Sequence, residues 1–402
     1  MGPGIVVMLA DTDVGSIITA AQSGVQWGYR LLLLQVLLMP VLYIVQELTV
    51  RLGIYTGKGH GELIRNTFGS GWAWVSVSGL GVATVGALIT EFSGVAGVGE
   101  LFGVPRLVSL SLATVVLLAV VWTGSYRRVE RVAIALGLFE LAFFFVAWRS
   151  HPQGAELARG LARVPLNNSA YLYLVAANIG AVIMPWMIFY QQSAVADKKL
   201  RPCHYRHAQW DTAVGSIITQ AVMAAVLIAA AATIGEVRAH GAHAAQASLN
   251  SIGDITNVLV PVLGPNVGRV VFGFGTIGAA MVAAIVVSLA SAWGFGEVTG
   301  YRHSLEHHPR EAPWFYGIYA VAVVGGAVLV DFVPDLVALN IGVQVMNALM
   351  LPLVLGFLVL LAFKALPAEH RLKGAYAWLV VTVSVLTAGL GVYGGITGAH
   401  LF

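Results

Sequence analysis

Asp11 and Asp13 stand two residues apart inside the first apolar stretch of the chain, Met8-Leu9-Ala10-Asp11-Thr12-Asp13-Val14-Gly15-Ser16. A charged side chain at the centre of a bilayer costs roughly 2.5–3.5 kcal/mol even on the cautious scales, so acids there are functional by default. On a continuous helix, residues i and i+2 do not face each other. On an extended stretch they point to the same side. The two carboxylates can therefore converge on one cation only where the helix is broken, and Gly15 lowers the cost of a break. Paired acids in a broken helix predict a cation site.

A second apolar stretch carries the matching break. It holds Asn178-Ile179-Gly180 and then Met184-Pro185. Pro185 has no N–H to give, which frees a backbone carbonyl about one turn earlier, near Ala181. The candidate donors are then the Asp11 and Asp13 carboxylates, the Ser16 hydroxyl, the Ala181 carbonyl and the Met184 thioether. Oxygen ligands suit magnesium, calcium and manganese, whereas a thioether favours softer metals. The mixed set leans towards manganese or iron(II), and away from magnesium, which demands an octahedron of oxygens and keeps its water.

The elements that must position these residues follow from composition. Of 402 residues, 58% are hydrophobic and 10% charged, and the mean hydropathy is +0.82. A soluble domain carries about 25% charged residues, so the chain is expected to be an all-α, multi-pass membrane protein. Its net charge of +3 does not point to nucleic acid, because the basic residues cluster in short links between apolar spans. The lone Cys203 excludes an internal disulfide framework. Eleven windows are long enough to span, at 4–22, 29–50, 73–101, 105–123, 130–148, 170–194, 212–235, 266–294, 313–331, 337–363 and 375–397. Fifteen of the 22 Lys and Arg fall in links on one side. The positive-inside rule then predicts a cell-membrane protein with a cytoplasmic N-terminus and an external C-terminus.

Breaks in spans one and six, five spans apart, are the signature of an inverted-repeat transporter with its site at the midplane. The expected organisation is one transporter domain over 1–402, with repeat one at 4–148, repeat two at 170–363 and an extra helix at 375–397. Each candidate has a plainer alternative. Asp13 could cap a half-helix, Ser16 could bond only to backbone, and a lone Met is usually core filler. Glu47 beside Arg51 reads as a helix-end ion pair, while Glu140 is open between packing and function. The histidines at 303, 307, 308, 240 and 243 have chelating spacings but no acid or Cys partner. The loops at 149–168 and 237–254 are expected to shield the outer side. A sodium-coupled organic-solute carrier is the competing function, although paired acids would repel a substrate carboxylate. An intramembrane enzyme is disfavoured, since no HExxH-type helix accompanies the acids.

These residues resemble the NRAMP family of divalent metal transporters over essentially the whole chain. That family's first-span motif, Asp-Pro-Gly-Asn, falls on Asp13-Val14-Gly15-Ser16. Its sixth-span motif, Met-Pro-His after an alanine with a metal-binding carbonyl, falls on Ala181-Val182-Ile183-Met184-Pro185-Trp186. Thr90-Glu91 and Leu101-Phe102-Gly103-Val104-Pro105 are similar to the third span and the following turn. The resemblance implies a LeuT-type fold of five plus five helices, alternating access, and metal held by Asp13, Ser16, the Ala181 backbone and Met184. Asn347 falls about where the family has a metal-facing glutamine.

The departures carry expectations of their own. Asp11 and the run Trp186 to Val195 look more like the NRAMP-related magnesium-transporter branch, yet Met184 is retained. Manganese or iron(II) is therefore expected as substrate, magnesium close behind, with no resident cofactor and a monomeric chain. The residues that would carry protons in the family fall on Gly94 and Trp186, and the fourth span has no acid. Weak or absent proton coupling is the expectation. A divalent ion would then be drawn inward by roughly 4.6 kcal/mol per 100 mV of membrane potential.

Overall fold

In lipid, every backbone amide must find its partner within the chain. This chain meets that demand with helices, and no strand occurs among the described residues. The computed structural model describes residues 2–123, 125–239, 264–332 and 336–398. In order the helices are α1 (Pro3–Asp11), α2 (Val14–Trp27), α3 (Leu32–Thr56), α4 (His60–Phe68), α5 (Ser70–Leu101), α6 (Arg106–Trp122), α7 (Tyr126–Gly137) and α8 (Ala142–Arg149). Then come α9 (Gly154–Ala162), α10 (Ser169–Val182), α11 (Pro185–Asp197), α12 (Tyr205–Ala239), α13 (Pro265–Thr299), α14 (Pro313–Leu329), α15 (Leu336–Lys364) and α16 (Gly374–Gly398).

Nine helical runs among the described residues are long and apolar enough to cross a membrane, and α6 is a shorter apolar helix. The run Val14–Thr56 joins parts of two expected spans, which part at Gly28, where φ is +60°, and at the tight turn Gly28–Leu31. Each of the eleven windows thus falls on helix. Both breaks lie where the sequence puts them. Span one stops at Asp11 and restarts at Val14, and Asp13 between them is extended. Span six stops at Val182 and restarts at Pro185, with Ile183 and Met184 extended. Span five holds a deviation the sequence does not announce, a 3-10 turn over Leu138–Leu141 that includes Glu140.

Span six is the most deeply buried of the candidate spans among the described residues. Of its most apolar window 94% is buried, against 39% for α16 at the periphery. Small residues let the helices close on it. A side chain at Gly180 would meet the Gln344 carbonyl oxygen at 1.8 Å, so α10 and α15 touch backbone to backbone. A side chain at Gly94 in α5 would meet Val14 Cγ2 at 2.5 Å. Val14 thus fills the space that a longer residue at position 94 would need.

The connections are tied to the spans by polar contacts. α4 begins at Gly59 without a side-chain cap of its own. Glu297 of α13 supplies one, accepting from Gly61 N–H at 2.8 Å and from the Ser193 hydroxyl at 2.5 Å. His60 Nδ1 lies 2.8 Å from Gln192 Oε1, and the Gln192 amide donates to the Lys58 carbonyl at 3.1 Å. The link between spans two and three is thereby fastened to spans six and eight. Glu47 pairs with Arg51 as expected, at 2.9 Å. It also accepts from Tyr205 and, at 2.7 Å, from Tyr376, which ties α12 and α16 to α3. Most of the 237–254 loop, with His240 and His243, lies outside the described residues.

Two expectations follow from this packing. Gly94→Ala should destabilise the protein by about 1–3 kcal/mol through overpacking, and Val14→Ala in the same chain should recover most of it. Thermal unfolding in detergent reads both, and a neutral Gly94→Ala would contradict the contact. Burial also pushes the His60 imidazole down from 6.5 to about 4. The unfolded chain therefore binds the extra proton first, and stability present above pH 6.5 is lost as pH falls towards 4. The loss should reach roughly 3 kcal/mol at about 1.4 kcal/mol per unit. The melting temperature of His60→Asn should fall less steeply over that window than that of the native chain.

Candidate functional site

The two breaks face each other. Asp13 caps α2: its Oδ1 accepts from Ser16 N–H at 2.6 Å. An N-cap carboxylate is held by the helix's own unsatisfied N–H groups and by the positive end of its dipole. Ser16, one turn in, donates its hydroxyl to the Ala181 carbonyl at 2.9 Å. This is the carbonyl that Pro185 leaves without a helical donor. Asp13, Ser16 and Ala181 therefore form one hydrogen-bonded chain across the gap. Met184 lies in the extended link of span six, three residues on from Ala181. All four are sealed from solvent: Ser16 and Met184 are 0% exposed, Asp13 and Ala181 1%.

Asp11 ends α1, and both its carboxylate oxygens are buried without a hydrogen-bond partner among the described residues. Glu91 of α5 braces the break from outside, accepting from Val14 N–H at 3.3 Å. Glu140 in the 3-10 turn of span five is buried too, with both oxygens unpartnered. The charges of Asp11, Asp13, Glu91 and Glu140 interact with one another. None of the four belongs to an ion pair among the described residues. Buried acids with no basic partner must be neutralised, by a proton or by a bound cation.

Gln344 of α15 also approaches the break in span one, and nothing in the sequence singled it out. Its Nε2 lies where a side chain at Gly15 would be, 2.2 Å from an ideal Cβ, whose next contacts include Asp13 Oδ1 at 3.5 Å. Asn347 stands one turn further and donates to Gln344 Oε1 at 3.0 Å. Its own Oδ1 is buried without a partner. The two amides share one helix face, so spacing alone gave no reason to prefer either.

Polar networks flank the gap. In one, the Gln35 amide donates to Asn178 Oδ1 at 2.6 Å, and the Asn178 amide to Ser23 at 2.9 Å. In the other, Thr49 donates to Gln191 Oε1 at 3.1 Å and the Gln191 amide to Thr212 at 3.0 Å. Trp186, where the resembling family has histidine, is fully buried and brings no group that titrates near neutrality. Among the described residues no three His, Cys, Asp or Glu side chains cluster tightly enough to hold a metal. The exposed His307 pairs weakly with Glu311 at 3.8 Å, and His303 bonds to the Tyr301 carbonyl.

Comparison with known proteins agrees with this geometry. The family described as natural resistance-associated macrophage protein-like matches residues 4–397. The divalent metal cation transporter MntH of Yersinia enterocolitica is 31% identical over 306 residues, covering 72% of this chain and 70% of that protein. MntH of Yersinia pestis is 31% identical over 298 residues, with the same shares. Among solved structures, the Eremococcus coleocola manganese transporter superposes with a TM-score of 0.78 at 20% identity, covering 99% of this chain and 87% of that one. MhsT in complex with L-phenylalanine superposes at 0.67 and 13% identity, covering 98% of each chain. At such identities the solved structures speak for the LeuT-type fold alone. The family match, which runs through both broken spans, removes the enzyme reading: this chain is a multi-pass membrane protein of the NRAMP family.

Proposed function

We propose that the chain carries divalent metal cations, manganese or iron(II) ahead of magnesium, through alternating access at the gap between the broken spans. The observation that carries this reading is the hydrogen bond from Ser16 to the Ala181 carbonyl, with the Asp13 carboxylate joined to it through Ser16 and buried Met184 in the extended link three residues on from Ala181. Asp13, Ser16, the Ala181 carbonyl and Met184 are the ligands, and Asp11 adds a second negative charge beside them. The Gln344 amide borders this set, with its Nε2 beside Gly15 and its Oε1 held by the Asn347 amide. Relatives named as divalent metal cation and manganese transporters support the substrate class.

The chemistry follows from the donor set. An entering cation exchanges water for one carboxylate, a hydroxyl, a carbonyl and a thioether. The thioether contributes little to magnesium, whose dehydration cost it cannot offset, and more to manganese or iron. Polar networks on both sides of the site give a partly hydrated ion a path in from one side and out to the other. Alternating access then needs each path to open in turn while the half-helices rock about the breaks.

Proton coupling is weak or absent in this reading. Val14 occupies the space beside Gly94, and Trp186 offers no proton relay. The metal runs down its electrochemical gradient, inward across a cell membrane with the N-terminus in the cytoplasm. A solute carrier fits the site less well, since acids unpaired with any base would repel a substrate carboxylate.

Uptake into proteoliposomes tests this directly. Manganese should enter, magnesium should compete poorly, and internal pH should stay flat. Met184→Ala should lose the preference for manganese over magnesium by about tenfold or more, within the usual range for disturbing a metal's surroundings. If magnesium enters equally well and Met184→Ala changes nothing, the thioether is packing and the ion is held largely hydrated. Gln344→Ala should weaken manganese affinity by about 10- to 100-fold while the protein stays folded. Unchanged affinity would remove Gln344 from the site.

A further inference from the structure

The acids outnumber the charge of one ion. Four carboxylates lie buried around the break in span one, and a single divalent cation balances two of them. Beyond the transport site, the unpartnered atoms gather on one side. Asp11 is 1% exposed, Thr12 0% and Glu140 1%, and Thr12 Oγ1 and all four carboxylate oxygens of Asp11 and Glu140 lack hydrogen-bond partners among the described residues. The Glu140 carboxylate faces the Thr12 hydroxyl outside hydrogen-bond geometry and interacts with the Asp11 charge. Span five is pressed onto span one there: a side chain at Gly137 would meet Leu9 Cδ1 at 2.7 Å. Glu140 is carried on the 3-10 turn that interrupts span five, so it too stands at a helix irregularity. A buried acid and hydroxyl left without partners cost free energy, and irregular turns inside spans are tolerated where they are buried in protein or line a cavity.

We propose that Asp11, Thr12 and Glu140 form a second divalent-cation site between spans one and five, beside the transport site and sharing Asp11 with it. Its protein donors are all oxygens, so it selects hard cations and keeps water in the remaining positions. Two divalent ions, one at each site, balance the four acids. The inference rests on the reading of Asp13 and Met184 as ligands of the first ion. It adds that transport proceeds with a neighbouring ion in place, whose charge keeps Asp11 from over-binding the cargo.

Manganese bound per chain, measured by equilibrium dialysis and metal analysis on the detergent-solubilised full-length protein, decides the point. The native chain should bind two ions, Glu140→Gln one, and Glu140→Asp two with the second weakened. The ion kept by Glu140→Gln should still depend on Met184. One ion in the native chain overturns the second site and leaves the transport reading intact, with protons neutralising the remaining acids. Two ions in Glu140→Gln also overturn it. No bound ion in the native chain contradicts both readings together.

Discussion

A backbone carbonyl freed in the middle of a membrane protein must find a partner, and the rest of this structure is arranged around that demand. Pro185 removes the donor that Ala181 would have had, and the Ser16 hydroxyl replaces it across the gap. Ser16 can reach only because span one is broken as well, so that α2 starts at the same depth with Asp13 as its cap. Two interrupted helices thus satisfy each other. The bond that joins them is the one a cation can replace, since carbonyl, hydroxyl and carboxylate all favour a positive charge. Gly15 and Gly180 let α15 close against both breaks, which brings Gln344 to the same place.

Much of this was legible in the sequence, for physical reasons. A span must be long and apolar, so the windows marked all eleven helical regions, including the short α6. Gly15 and Pro185 marked the breaks because each changes what the backbone can do. What stayed hidden depends on contacts between residues far apart in the chain. Glu297 caps α4 from 236 positions away, which no local pattern reveals. Gln344 and Asn347 lie on one face, and only the close approach of Gly15 separates them. The 3-10 turn at Glu140 has neither Pro nor a flanking pair of glycines to betray it. Val14 and Gly94 read as two separate departures from the family pattern, yet they are one contact.

The proposed site combines hard and soft donors in a low-dielectric setting, and in the proposal that combination sets selectivity. Carboxylates alone would favour whichever divalent ion is most abundant. A thioether at the same point tilts the difference of affinities towards metals that accept sulfur. In the proposed site the acids supply attraction and Met184 supplies discrimination. With Gly94 and Trp186 in place of titratable groups, the proposed driving force is the electric field on the ion. The peripheral α16 is joined to the core through Tyr376 and Glu47.

The central claim is that a divalent ion is bound jointly by Asp13, Ser16, the Ala181 carbonyl and Met184. X-ray absorption at the metal edge, on protein loaded with one equivalent of manganese, tests it most directly. The account predicts a shell of oxygens with one sulfur, and loss of the sulfur in Met184→Ala. A shell of oxygens alone, identical in the two proteins, would contradict it.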